Sequence, residues 1–349
     1  MVGEGEQGMG GLRLKLRISR PAHGLETAHS DSPKESLSKA AESLRLAEFR
    51  ENVLGLSEPD DRTPFNYTLE GTPAADVVAL YIATLAKGLG VDASHMRPIA
   101  GAVQMLLVIS LMVDDMEDKD AERNNKDAAW VTYGTQRTNT SIQAVYDAVL
   151  TKLGELNPKV RDICDEECRA ALASLQHQKT FSLDSTTLEE IMADWDRRQL
   201  FYHSFPFRAF AELNPGIDQQ KINAAHEATR LLMRVLQFAN DWSDITRDRL
   251  KDIENGLVTA PIKLLYEELG TEDRAALQAL LDAHAAPTDE QKTWVKDKLK
   301  ETGVVAEVKN RIDGLLADHL SQQSKVTDDN RITMLLLKMF SGQKTSSDV

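Results

Sequence analysis

From about residue 74 to residue 341, apolar side chains recur at three- and four-residue spacings with few interruptions, a rhythm that only stacked α-helices satisfy. In the stretch 74–90, Ala74, Val78, Tyr81, Leu85 and Leu89 fall on one helical face. The same spacing predicts helices over 94–118, 137–156, 159–182, 186–213, 218–249, 260–269, 272–285, 289–302, 304–322 and 328–341. The gaps carry turn residues: Asn157-Pro158, Asn214-Pro215-Gly216, Asn255-Gly256 and Pro287. Period-two alternation occurs only at Leu12, Leu14, Leu16 and Ile18, and that run has no partner strand. No repeat of solenoid length is present. The expected fold class is therefore all-α: one helical bundle of ten or so helices, spanning 46–340.

The ends differ from this body. Residues 1–45 are rich in Gly, Ser and charge and are expected to form a disordered leader. Arg13, Lys15, Arg17 and Arg20 make it locally basic, which leaves organelle targeting as the alternative to a plain tail. Residues 341–349 are polar and expected to fray. Charge narrows the function. Lys and Arg total 41 against 55 Asp and Glu, a net −14, so the basic footprint of a nucleic-acid binder is missing. Two cysteines, Cys164 and Cys168, cannot supply a disulfide framework, so a reducing, cytoplasmic compartment is the simpler expectation. The longest apolar run, Ala102 to Val113, is broken by Gln104 and Ser110, too short for a transmembrane segment, and reads as a buried helix.

Two acidic clusters stand out. Asp114-Asp115-Met116-Glu117-Asp118 closes the most apolar helix, and on a helix Asp114 and Asp118 are i,i+4 neighbours while Asp115 and Asp118 are i,i+3 neighbours. Like charges stacked at a helix C-terminus oppose the macrodipole, so they gain nothing structurally. Oxygen-rich clusters of this kind suit Mg²⁺, although a solvated acidic helix end is the plainer reading. The second cluster, Asn240-Asp241-Trp242-Ser243-Asp244, follows the apolar stretch Leu231 to Ala239, and Asn240, Asp244 and Asp248 are spaced i, i+4, i+8. Two such faces opposed across a bundle could hold Mg²⁺ and a diphosphate between them, with an apolar cavity to shield the allylic cation left after ionisation.

Over about 64–270 the chain resembles the trans-isoprenyl diphosphate synthases, the farnesyl and geranylgeranyl diphosphate synthases. Asp114-Asp115-Met116-Glu117-Asp118 matches their first aspartate-rich motif, DDxxD. Arg123-Asn124 stands where that family has Arg-Arg, Tyr133-Gly134 matches a downstream Tyr-Gly, Gln237-Phe238-Ala239-Asn240-Asp241 matches Gln-x-x-Asp-Asp, and Gly256-Leu257-Val258-Thr259-Ala260-Pro261 resembles Gly-Lys-x-Thr-x-Pro. The resemblance implies the isoprenoid-synthase helical fold, a homodimer, and a cluster of three Mg²⁺ ions held by Asp114, Asp115, Asp118, Asn240, Asp241 and Asp244. It makes Asp114, Asp115, Asp118 and Asp241 the catalytic acids. Arg123, Arg198 and Gln237 become binders of an allylic prenyl diphosphate.

The departures are as informative. The family holds isopentenyl diphosphate with a Gly-Lys-x-x-Arg segment, a His seven residues before DDxxD and the second Arg of the pair. Here those places carry Ala74-Ala75-Asp76-Val77-Val78, Leu107 and Asn124. A diphosphate buried without cationic donors is costly, so the elongation site reads as dismantled. Arg197 or Arg198 falls near the family's Lys-Thr pair. Leu257 replaces the Lys of Gly-Lys-x-Thr, which Arg247 or Arg249 could offset. Asn-Asp-x-x-Asp resembles the second motif of fungal indole-diterpene geranylgeranyl transferases, and more poorly that of terpene cyclases. Ile109 and Ser110, where an aromatic floor would stop the prenyl tail, leave room for C15 to C20. Trp130 could stack on an indole acceptor, or simply pack. The expected function is a Mg²⁺-dependent prenyltransferase acting on a small-molecule acceptor such as indole-3-glycerol phosphate. The rivals are a terpene cyclase and a non-catalytic partner subunit.

Overall fold

A computed structural model describes residues 46–175, 177–246 and 250–340. The basic leader, its alternating run, the C-terminal tail, and Arg247, Asp248 and Arg249 lie outside the described residues. The described chain is helical almost throughout, and its core runs from Val53 to Leu337. Two short helices that the periodicity did not signal come first: α1 (Leu46–Leu54) and α2 (Thr63–Glu70), the latter opened by Pro64. Pro73 then starts α3 (Pro73–Gly88), which turns away from α2 by 81°. The most apolar helix, α4 (Ala93–Glu117), packs on α3 and α1. Gly101 allows this packing, because a Cβ there would run into the Phe49 ring. At 25 residues α4 is long and apolar enough to cross a membrane, more than the run 102–113 suggested. Its apolar side chains are instead buried in the protein's own core.

After α4 the chain makes the only strands among the described residues, β1 (Glu122–Arg123) and β2 (Lys126–Asp127). Both turn residues, Asn124 (φ 53°) and Asn125 (φ 63°), lie in the left-handed region that a tight hairpin needs and that Asn tolerates. Then come α5 (Ala129–Tyr133), α6 (Thr135–Leu156) and α7 (Pro158–Ser174). The expected helix 159–182 ends at Ser174, and the expected helix 186–213 is three pieces: α8 (Leu188–Arg198), α9 (Leu200–His203) and α10 (Phe205–Leu213). Gln199 (φ −112°, ψ 17°) makes the first break, and Ser204 makes the second just before Pro206, which has no N–H to continue a helix. The long α11 (Gln219–Thr246) follows, then α12 (Lys251–Glu254) and α13 (Ala260–Glu268). The outer helices α14 (Thr271–Asp282), α15 (Asp289–Glu301), α16 (Val304–Ser324) and α17 (Arg331–Phe340) complete the bundle. The segment α9–α10 packs on both α4 and α11, so the helices that end in the two acidic clusters flank it.

Candidate active site

The C-terminal ends of α4 and α11 supply the acids, and α8 supplies the cation that couples them. Arg198, the last residue of α8, pulls down the carboxyls of Asp114, Asp118 and Asp241 alike, which places it between the two acidic faces. It is itself held 3.0 Å from the fully buried Asp194 one turn earlier. Asp118 is pushed up to about 7 by burial, then by Asp114 and Asp120, against Arg198 and Lys179. Asp241, 4% exposed, is also pushed up to about 7 by burial, with the Gln237 amide and Arg198 opposing and Asp244 adding to the rise. Burial likewise raises Asp114, although its side chain is 51% open to solvent. A carboxylate that is both accessible and crowded by protein lines a cleft.

These groups fit divalent metal. One oxygen of Asp241, Oδ1, accepts from Gln237 Nε2 at 2.8 Å, while the other, Oδ2, is buried and has no hydrogen-bond partner. Gln237 is fixed in turn by Gln199 Nε2 at 3.2 Å. A buried orphan carboxylate oxygen among further carboxylates calls for a cation.

A family model described as polyprenyl synthetase matches residues 64–298, two thirds of the chain. The chain belongs to the polyprenyl synthetase family. Its fold is that of solved family structures: a Caulobacter crescentus polyprenyl synthase complexed with calcium and isoprenyl diphosphate superposes with a TM-score of 0.74 at 17% identity, covering 90% of this chain and 98% of that one. A geranylgeranyl pyrophosphate synthetase from Geoglobus acetivorans gives 0.72 at 15% identity, over 88% and 98%. Among curated relatives, geranylgeranyl pyrophosphate synthase 1 of Zymoseptoria tritici is 35% identical over 36% of this chain and 34% of its own length. Colleterpenol synthase of Colletotrichum gloeosporioides is 22% identical over 78% of this chain and 40% of its own. The chain thus spans only about a third to two fifths of these curated relatives.

In this polyprenyl synthetase-family chain the expected site residues divide into groups. Asp114, Asp118, Asp241 and Arg198 come together. Asp244 adjoins them, but its carboxylate accepts the backbone N–H groups of Lys251 and Asp252, both at 3.2 Å, and so anchors the return of the chain after α11. Asn240, expected as a metal ligand, is exposed at the end of α11. Asp115, expected as a metal ligand, is 2% exposed and committed to Arg123, whose Nε lies 2.8 and 2.9 Å from its two oxygens. Its place in the arrangement is to hold Arg123, which also approaches Asp114 at 3.9 Å.

Trp130 does not offer a free ring edge: its Nε1 donates to the Asp120 carbonyl at 2.7 Å and pins the loop after the first motif. The tail floor also differs from expectation. Ile109 is buried, and the Ser110 hydroxyl lies 3.0 Å from the Tyr202 hydroxyl. An aromatic ring from α9 therefore closes the position that looked open from residues 109 and 110. Burial pushes the Tyr202 phenol far up, with Asp114 contributing, so it is a neutral group beneath the first motif. Sequence reading also missed Asp252. Burial, then Asp241, Asp244, Asp118 and Asp114, raise its carboxyl strongly, so it faces both clusters. It sits one helix beyond the motif spacing, and only the Asn255-Gly256 turn hinted that the chain doubles back there.

Proposed function

We propose that this chain ionises an allylic prenyl diphosphate, with geranylgeranyl diphosphate first among C15 to C20 substrates, and passes the prenyl group to an acceptor other than isopentenyl diphosphate, an indole such as indole-3-glycerol phosphate. The observation that supports this most is a contrast. The acids of the ionisation centre surround an unpartnered Asp241 oxygen, while Ala75, Val78, Leu107 and Asn124 provide no cation for elongation. Asp114, Asp118, Asp241 and Asp252 would hold Mg²⁺, with Asn240 and Asp244 at the edge of that set. Bound Mg²⁺ would neutralise the diphosphate and make it a leaving group.

The chain's own residues do the rest. Asp115 fixes Arg123, and Asp194 fixes Arg198, so both guanidiniums are preorganised donors beside the acids. Gln237 orients Asp241. Below the motif, Val108, Ile109 and Met112 give an apolar wall that keeps water from the cation. Tyr202 limits its depth. Incubation with geranylgeranyl diphosphate, Mg²⁺ and indole-3-glycerol phosphate tests the reading, with a prenylated indole as the expected product.

The second reading is cyclisation without acceptor. It draws on the partial resemblance to colleterpenol synthase and on the dolasta-1(15),8-diene synthase of the same organism, 26% identical over 77% of this chain and 39% of its own. Against it, Phe205, Phe207 and Phe210 are fully buried core rather than cavity-lining aromatics.

A further inference from the structure

The β1–β2 hairpin builds a second small cavity on the far side of Arg123 from Asp114. It is walled by Tyr67, Gly71, Thr72, Asp115, Arg123 and Lys126. The hairpin register makes Arg123 and Lys126 direct cross-strand partners, so both side chains leave on one face. Like charges placed opposite each other are unfavourable unless anions accompany them. Asp115 serves Arg123 through Nε and Nη2, which leaves the Nη1 donors of the guanidinium unused by that pair. Lys126 forms no ion pair among the described residues, and its ammonium lies only over the Tyr67 ring, 5.8 Å from the centroid. The arrangement is one anion short.

The cavity is also built firmly. Asn124 Nδ2 donates to the Gly71 carbonyl at 2.7 Å, and the Tyr67 hydroxyl donates to the Asp127 carbonyl at 2.9 Å. These bonds tie the hairpin to the α2–α3 junction. Thr72 stands at the start of α3, and no side chain caps that first turn. Its uncapped N–H groups favour an anion.

We infer that this cavity is the subsite for the phosphate-bearing head of the second substrate, with Lys126 as its principal cation. The inference rests on the transferase reading above and deepens it: the acceptor is phosphorylated, and its charge is held two residues beyond Asn124, the position that lacks the expected arginine. Arg123 is then a shared wall, facing the ionisation centre on one side and the acceptor head on the other. A monophosphorylated indole and isopentenyl diphosphate both present such a head, and they are separated by assay.

The test compares wild type, Lys126→Gln and Lys126→Arg as full chains with geranylgeranyl diphosphate and Mg²⁺. Indole-3-glycerol phosphate, unphosphorylated indole and isopentenyl diphosphate are supplied in separate arms. Lys126→Gln should raise KM for a phosphorylated acceptor about tenfold, the loss of one charge-assisted contact, with kcat and the KM for geranylgeranyl diphosphate little changed. Lys126→Arg should restore most of it, and unphosphorylated indole should be indifferent to both changes. Equal KM effects on charged and uncharged acceptors would overturn the subsite. Lys126-dependent use of isopentenyl diphosphate would keep the subsite and refute the acceptor reading.

Should wild type prenylate none of the three, the transferase reading fails by itself. The subsite is then decided by pyrophosphate binding in EDTA, where the acidic centre cannot retain the anion. Weakening of that binding by Lys126→Gln supports the subsite, and identical binding by wild type and variant sinks it. Lys126 is exposed, so its replacement leaves the fold intact.

Discussion

At the residue scale, the centre is a set of carboxyls that are uncomfortable without a cation. Asp118 and Asp241 are each pushed up to about 7, and Asp114 and Asp252 are also raised, burial being the first cause in all four. Replacing Asp241 by Asn removes a buried negative charge while keeping the shape. In the metal-free protein at pH 8, Asp241→Asn should therefore raise the melting temperature, while turnover falls at least ~100-fold. A lower melting temperature with activity retained would mean that Asp241 is a structural acid. Asp115 tests the division of labour within DDxxD. Because both its oxygens face Arg123, Asp115→Ala should weaken Mg²⁺ binding, measured by calorimetry, much less than Asp114→Ala does, yet still impair turnover by freeing Arg123. Equal losses of Mg²⁺ affinity would return Asp115 to the metal set. Spacing alone made Asp114, Asp118 and Asp241 legible in the sequence. It could not separate Asp115 from Asp114, because i,i+3 and i,i+4 geometry admits both and the partner Arg123 lies across a turn.

At the element scale, the decisive feature is the break of the 186–213 stretch. An unbroken helix would carry Arg198 and Tyr202 one turn apart on a single face. The turn at Gln199 instead ends α8 with Arg198 at the acids and lets α9 present Tyr202 to Ser110. Pro206 was visible as a helix breaker, but the break at Gln199 has no local signal and is imposed by packing on α4, α7 and α11. For the same reason residues 109 and 110 misreport the tail pocket, whose floor comes from 92 residues away. Tyr202→Leu should deepen the pocket and shift use toward C20 or longer diphosphates. Tyr202→Phe should keep the floor and lose only a hydrogen bond, about 1 kcal/mol of stability. Chain-length selectivity that is unchanged in Tyr202→Leu, measured in competition assays with C15 and C20 diphosphates, would place the tail elsewhere. The hairpin was equally hidden: two-residue strands leave no periodicity, and Asn124-Asn125 read as a lost arginine rather than as a turn.

At the scale of the whole molecule, the helical rhythm specified the fold class because most of the chain obeys it, and the two motif helices flank one connecting segment as the bundle reading required. The acids give this bundle a pH dependence with a definite sign. Asp118 and Asp241 have folded pKa values above their ordinary 3.8, so the folded state binds more protons than the unfolded one between about pH 4 and 7. Their contribution to stability is fully present below pH 4 and is lost as pH rises through 7. Metal-free protein should therefore melt at lower temperature at pH 8 than at pH 6, and Mg²⁺ should close the gap, since it binds the deprotonated carboxylates. A metal-free melting temperature that rises from pH 6 to pH 8 would contradict the buried acid centre.

The central claim is that ionisation survives while elongation is lost. It is tested most directly by supplying purified protein with geranylgeranyl diphosphate and Mg²⁺ and identifying the products with indole-3-glycerol phosphate, with isopentenyl diphosphate, and with neither. The account predicts a geranylgeranylated indole in the first mixture and, in the other two, substrate left largely intact. A prenyl diphosphate longer than C20 in the second mixture, or a terpene hydrocarbon or alcohol in the third, would contradict it.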